Sequence, residues 1–406
     1  GEALALGPNI NVTSKGRVVM EEEAHRQAYA AIQKAISLKA NVSKKERDYI
    51  DALATRYSSD ASKSRADLDN AYMLAMRELF QIYPEDDDVA ALFVESMMNT
   101  MPWDYWIDPE TPRVLTIEVI QVLETVLQRS PKHPLALHLY IHAIEASSKP
   151  ERAEIAADTL LDLMPGAGHL VHMPSHIYWR VGRYRDASEA NYKAAAIDQA
   201  YISACNIQSF YAAAYYPHNL HFLWAAYSME GSSQAAIEAA WKVAASVSLE
   251  MIEHYPVVEF FKTIPLLALT RFGQWGAVLT QPPPPEHLEF SHGIWRYARA
   301  IAQSKLGDLD AARSEYFSLT KIREAASLAV LDQKGYPATL LLKIADRLVL
   351  GEIFMAQKDY VNAITSFKEA VDFQDQLPYT EPPFWYYPTQ LALGKALLEA
   401  GDFAQA

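Results

Sequence analysis

Apolar stretches rich in Ala, Leu, Val and Ile run along most of this chain, and polar junctions cut them at regular intervals. Leu123–Arg129 ends at Ser130-Pro131, Ala153–Leu163 at Met164-Pro165, and Ala187–Ile197 at Asp198-Gln199. Pro131, Pro165 and Gln199 are 34 residues apart. Proline suits such a junction because it stops one helix and presets φ for the next. A second landmark lies inside each period. Gly182-Arg183-Tyr184-Arg185-Asp186-Ala187 has the form Gly-x-[Tyr/Leu/Phe]-x-x-Ala, loosely repeated at Gly231, Gly273, Gly307, Lys358 and Gly401. Each predicts a tight turn between two antiparallel helices. The predicted fold class is therefore all-α, an array of helix–turn–helix repeats.

The period and turn motif resemble the tetratricopeptide repeat. The likeness is good from about 110 to 200 and from 220 to the end, and looser from 20 to 105. It implies a right-handed superhelical array whose first helices line a concave groove. Gln281-Pro282-Pro283-Pro284-Pro285-Glu286 cannot be helical. It suggests a division into 1–280, carrying the groove, and 281–406, further repeats. Thr380-Glu381-Pro382-Pro383 predicts a similar break. The run Glu85-Asp86-Asp87-Asp88 reads as a helix N-terminus, where carboxylates meet the positive end of the dipole.

Composition narrows the chemistry. The net charge is -14, which disfavours a phosphate backbone as partner, so nucleic acid is not expected. One cysteine, Cys205, excludes an internal disulfide and a multi-cysteine metal site. No run of 18 apolar residues predicts a membrane span. The start at Gly1, with Glu2–Leu6 reading as a helix end, and the stop inside a repeat both suggest truncation. Export remains open if a signal lies upstream. Gly7–Asn11 reads as a turn.

The histidines change the picture most. Of twelve, eight fall between His133 and His221. His138 and His142 follow Pro131 by 7 and 11 residues, and His172 and His176 follow Pro165 by the same intervals. His169 and His172 precede Gly182 by 13 and 10, as His218 and His221 precede Gly231. Position 11 after Pro84 is Glu95. Equivalent positions on successive first helices, packed about 8–10 Å apart, can converge. Crowded imidazoles repel when protonated and need partners when neutral, and a cation meets that need. The expected site is Glu95, His138, His142, His169, His172, His176, His218 and His221 around one or two divalent transition metals, copper, zinc or iron. Glu145, three residues after His142, could ligate, orient His142 or act as a catalytic base. The remaining histidines, among them His25, His133, His254, His287 and His292, read as ordinary hydrogen-bonded residues. Tyr215-Tyr216-Pro217-His218 reads as a helix start beside the ligands.

The segment GHLVHMPSHIYWRVGRYRDASEAN, with GEALALGPNIN at the start, resembles a family of bacterial tetratricopeptide-repeat proteins sharing His-Leu-x-His-Met-Pro-Ser-His-Ile-Tyr. That resemblance implies fold and site, not a reaction. The expectation is a metal-dependent enzyme, an oxidoreductase with a mono- or dinuclear histidine centre, taking a small molecule or peptide in the groove. Two alternatives stay open: a peptide- or protein-binding scaffold, and a metal-binding protein without catalysis.

Overall fold

Helix starts are written in short polar sequences. Ser43 and Ser64 accept from the backbone N–H of Glu46 and Asp67, whose carboxylates reach back to the serine N–H, a reciprocal capping box. Asp86 caps Asp87–Thr100 by accepting from Val89 N at 3.1 Å, the role expected of the acidic run. His133 caps Pro134–Ile144, its Nδ1 accepting from Ala136 N at 3.2 Å. Its apolar neighbours do not hold it in a core; a cap does.

The protein is seen here in a computed structural model, which describes residues 13–14, 17–18, 20, 22–60, 62–205 and 210–406. The expectations for Glu2–Leu6 and Gly7–Asn11 lie outside the described residues. Helices follow one another almost throughout, paired as antiparallel neighbours: Arg65–Ile82 on Asp87–Thr100, Glu289–Leu306 on Leu309–Arg323, and Ala338–Ala356 on Tyr360–Gln374. The strands among the described residues are two small antiparallel hairpins, Thr13–Ser14 with Arg17–Val18 and Trp106–Asp108 with Thr111–Pro112. No helix of the described residues is long and apolar enough to cross a membrane.

The expected turn positions all take the left-handed conformation. Gly182, Gly231, Gly273, Gly307 and Gly401 have φ between 66° and 86°, and Lys358 adopts φ 62°. The stretches 281–286 and 380–383 are non-helical, as proline dictates.

Three local expectations need correction. Asp198-Gln199 is not a junction: one helix runs from Tyr184 to Cys205. Neither residue breaks a helix, and the buried Asp198 carboxylate accepts from Asn219 Nδ2 at 2.6 Å. Pro217 does not open a helix but sits inside Phe210–Glu230. The aromatic and alanine run before it extends the helix on its N-terminal side. His169, His172 and His176 do not share one regular helix. Gly168–His172 and Pro174–Arg180 are separate short helices broken at Met173, because Pro174 cannot donate a backbone hydrogen bond.

The chain forms two compact units: Gly1–Pro165 with His176–Gly182, and Gly166–Ser175 with Arg183–Ala406. The first unit has Phe93, Met97, Met98, Leu123 and Ile141 fully buried, and the second Phe222, Tyr297 and Phe367.

Candidate metal centre

Both units carry histidines of the expected site. In the first unit, His138 and His142 project from Pro134–Ile144, with ring centroids 4.9 Å apart. The ring of His176 lies 5.7 Å from that of His142. Glu145 joins the latter two. Its Oε1 accepts from His142 Nδ1 at 2.9 Å, and its Oε2 lies 2.5 Å from His176 Nδ1. All three side chains are buried. Burial would raise the Glu145 carboxyl, but His176 and His142 hold it down at about 2. An ionised carboxylate only accepts, so it keeps the proton of each imidazole on Nδ1 and leaves the lone pair on Nε2. Burial, reinforced by nearby His142 and His176, lowers His138 well below the usual histidine range, so its ring is neutral at physiological pH.

Neighbouring groups fix this arrangement. Arg180 donates to the carbonyls of Glu145 and Ser147, tying the end of the His138–His142 helix to the helix that carries His176. Trp106 Nε1 donates to Ala143 O at 2.8 Å. The ring of Trp103 stands edge-on to His142, with centroids 5.1 Å apart. Trp103 holds φ 64°, an uncommon conformation for a bulky residue.

In the second unit, His172 is fully buried at the end of Gly168–His172. Asn191 on Tyr184–Cys205 sets its tautomer. The amide Nδ2 donates to Ala187 O at 2.8 Å, which turns Oδ1 towards His172 Nδ1 at 2.6 Å. His172 therefore donates from Nδ1 and keeps a lone pair on Nε2. That atom lies 3.1 Å from Nε2 of His218, on the next helix. Two arrangements satisfy such a pair. His218 can donate its proton, or both lone pairs can face one cation. Two nitrogens bound to a metal at about 2.0–2.1 Å and at angles near 90–109° stand about 2.8–3.4 Å apart, which brackets the observed separation. The ring of His169 lies 6.0 Å from His172 and 5.1 Å from Tyr215.

No family model matches this chain, and no curated protein does. Solved structures do. A tetratricopeptide repeat protein from Parabacteroides merdae aligns at 11% identity and TM-score 0.36, over 91% of this chain and 99% of that one. Yeast Tom70 aligns at 11% identity and TM-score 0.34, over 94% and 73%. Human IFIT1, solved as a dimer with m7Gppp-AAAA, aligns at 11% identity and TM-score 0.39, over 95% and 84%. The fold itself is an all-α array of antiparallel helix pairs.

Two residues expected in the site stand apart from both sets. Glu95 lies near Arg56 and Asn99; burial raises its carboxyl and those two neighbours oppose the shift. The ring of His221 packs among aromatic groups, 5.2 Å from Trp224, 5.4 Å from Phe260 and 5.7 Å from Phe261. Burial alone lowers His221 to about 3. No group of three neighbouring potential ligands among the described residues includes Glu95 or His221. Sequence reasoning missed Asn191. The sole signal was its place three residues after Ser188 on the helix facing the His169–His172 segment, which names no role.

Proposed function

We propose that this repeat protein binds a divalent transition metal through paired imidazoles, with copper, zinc or iron as candidates and one or two ions per chain. The observation that carries the reading is the His172–His218 Nε2 pair at 3.1 Å, with the His172 tautomer fixed by Asn191. The Glu145 bridge supports it in the first unit. A carboxylate or amide accepting from Nδ1, so that Nε2 carries the lone pair, is the usual support of a metal-bound histidine. Burial keeps the His138 ring neutral, as ligation requires. The metal's use is proposed as oxidoreductase catalysis on a small molecule, which a copper or iron ion on imidazole ligands would support.

Purified protein, stripped by a chelator and reloaded in turn with copper, zinc and iron, tests this by elemental analysis after gel filtration. The expected result is retention of at least one equivalent of one metal, reduced in His172→Ala/His218→Ala. Retention of none of the three metals would leave a peptide-binding scaffold as the better account.

A further inference from the structure

The helix that carries His138 and His142 is closed at its start by a third histidine. His133 is the N-cap of Pro134–Ile144. A helix start leaves backbone N–H groups without acceptors; Pro134 removes one, and His133 Nδ1 accepts from another, Ala136 N, at 3.2 Å. On the far side of the ring, Nε2 lies 3.1 Å from Asp88 Oδ1, in the first turn of Asp87–Thr100. A carboxylate only accepts, so the proton of the neutral ring sits on Nε2 and the lone pair on Nδ1. One ring thereby ties two helix starts together, as donor to the first and acceptor for the second. Other caps in this chain, such as Ser64, Asp86 and Asp308, accept through oxygen.

A nitrogen cap differs from an oxygen cap in what a proton does to it. A second proton on the ring goes to Nδ1, which then faces Ala136 N–H as donor against donor. The charged ring would also stand at the positive end of the helix dipole. Its side chain is 12% exposed, so water cannot take over the Ala136 N–H while the ring stays in place. The surrounding charges do not offset this loss. Asp88 attracts a cationic ring, but its carboxylate is 83% exposed, where an ion pair contributes little. Asp87, in the same turn, is engaged by Arg129 at 2.7 Å, and Arg129 also meets Glu85 at 3.0 Å. Lys132, next in the chain, carries a like charge.

We propose that His133 is a proton-sensitive catch: neutral, it holds the first turn of Pro134–Ile144 closed, and protonated, it lets that turn open. The closed turn binds one proton fewer than the open one, so closure weakens as pH falls. The turn leads directly into His138, so acid loosens the end of the helix from which His138 and His142 project. The catch acts whether or not those imidazoles bind metal.

Hydrogen exchange of the Ala136 amide, corrected for its intrinsic pH dependence, is the readout, on the full chain without added metal at about pH 7.5 and about pH 5. Protection in the unaltered protein is expected to fall about fivefold or more at the lower pH, the loss of one cap. The Asp67 amide, which Ser64 accepts from, is the internal control and is expected to hold. His133→Asn caps through an oxygen that does not titrate, so its Ala136 amide is expected to stay protected at both pH values. His133→Ala, with no cap, is expected to leave that amide weakly protected at both. Equal protection at the two pH values in the unaltered protein, an equal fall in His133→Asn, or full protection in His133→Ala would each overturn the proposal.

Discussion

Glu145 serves two imidazoles where Asn191 serves one, and substitution of either tests what they hold. In Glu145→Gln the amide can still accept from one ring but presents N–H to the other, so one histidine loses its tautomer. Metal affinity in the first unit is expected to fall by about 10–100-fold, as for other partners of metal-bound histidines, read by competition against a chelator of known affinity. An unchanged affinity would make Glu145 a packing residue. His221 gives a pH prediction free of metal. Its folded value near 3 lies below the ordinary 6.5, so between those values the unfolded chain binds a proton that the native chain does not. Stability therefore rises with pH across that window and is lost as pH falls from about 6.5 towards 3, by up to about 1.4 kcal/mol per pH unit. His221→Phe is expected to flatten the acid limb of a denaturant-midpoint curve between pH 4 and 6. A limb of the same slope in the variant would assign the acid loss elsewhere.

At the scale of elements, turns were the most legible feature. Gly307 and its equivalents are marked by a residue type with a steric reason, and every expected turn takes positive φ, Lys358 included. Lys358 does so without the freedom of glycine. Lys358→Gly is expected to raise stability slightly or leave it unchanged, because left-handed backbone costs a side-chain-bearing residue about 1–2 kcal/mol while extra unfolded-state entropy offsets part of that. Gly307→Ala should lower it by about 1 kcal/mol or more, and thermal unfolding compares the pair. What stayed hidden were elements whose boundaries depend on tertiary partners. Asp198 looks like a helix end in sequence, yet a buried amide, Asn219, receives its carboxylate mid-helix. Pro217 looks like a start, yet the chain before it coils as well. Gly168 shows the same dependence. A Cβ there would stand 1.9 Å from Asp198 Oδ1, so Gly168→Ala must displace the Asp198 carboxylate or the backbone that carries it, on the same helix as Asn191. The expected effect is a weakened His172–Asn191 bond, seen as loss of the slow-exchanging imidazole N–H signal by NMR.

For the whole molecule, the 34-residue period carried the all-α repeat architecture, because repetition is a property of sequence itself. The division of the histidines between two compact units was not legible. The boundary falls between Ser175 and His176, which puts His172 with the second unit and His176 with the first although they are four residues apart. The repeat frame aligns His138 with His172 and His142 with His176, but equivalence along a chain says nothing of which partner each ring meets. If both sets bind metal, chelation should lower the melting temperature in steps. Binding to the native state alone stabilises by about 2.7 kcal/mol at a hundredfold excess over Kd. His138→Ala/His142→Ala and His172→Ala/His218→Ala should each remove part of the chelator effect, and the four together all of it; equal shifts in all variants would contradict two independent sets. The Glu145 bridge also has an electrochemical side. A redox metal on the Nε2 atoms of His142 or His176 would feel a full negative charge one imidazole away, buried where water screens it poorly. One held by His172 would have the neutral amide of Asn191 on the far nitrogen of its ring. The anion favours the higher oxidation state, so a copper ion in the first unit should be the harder of the two to reduce.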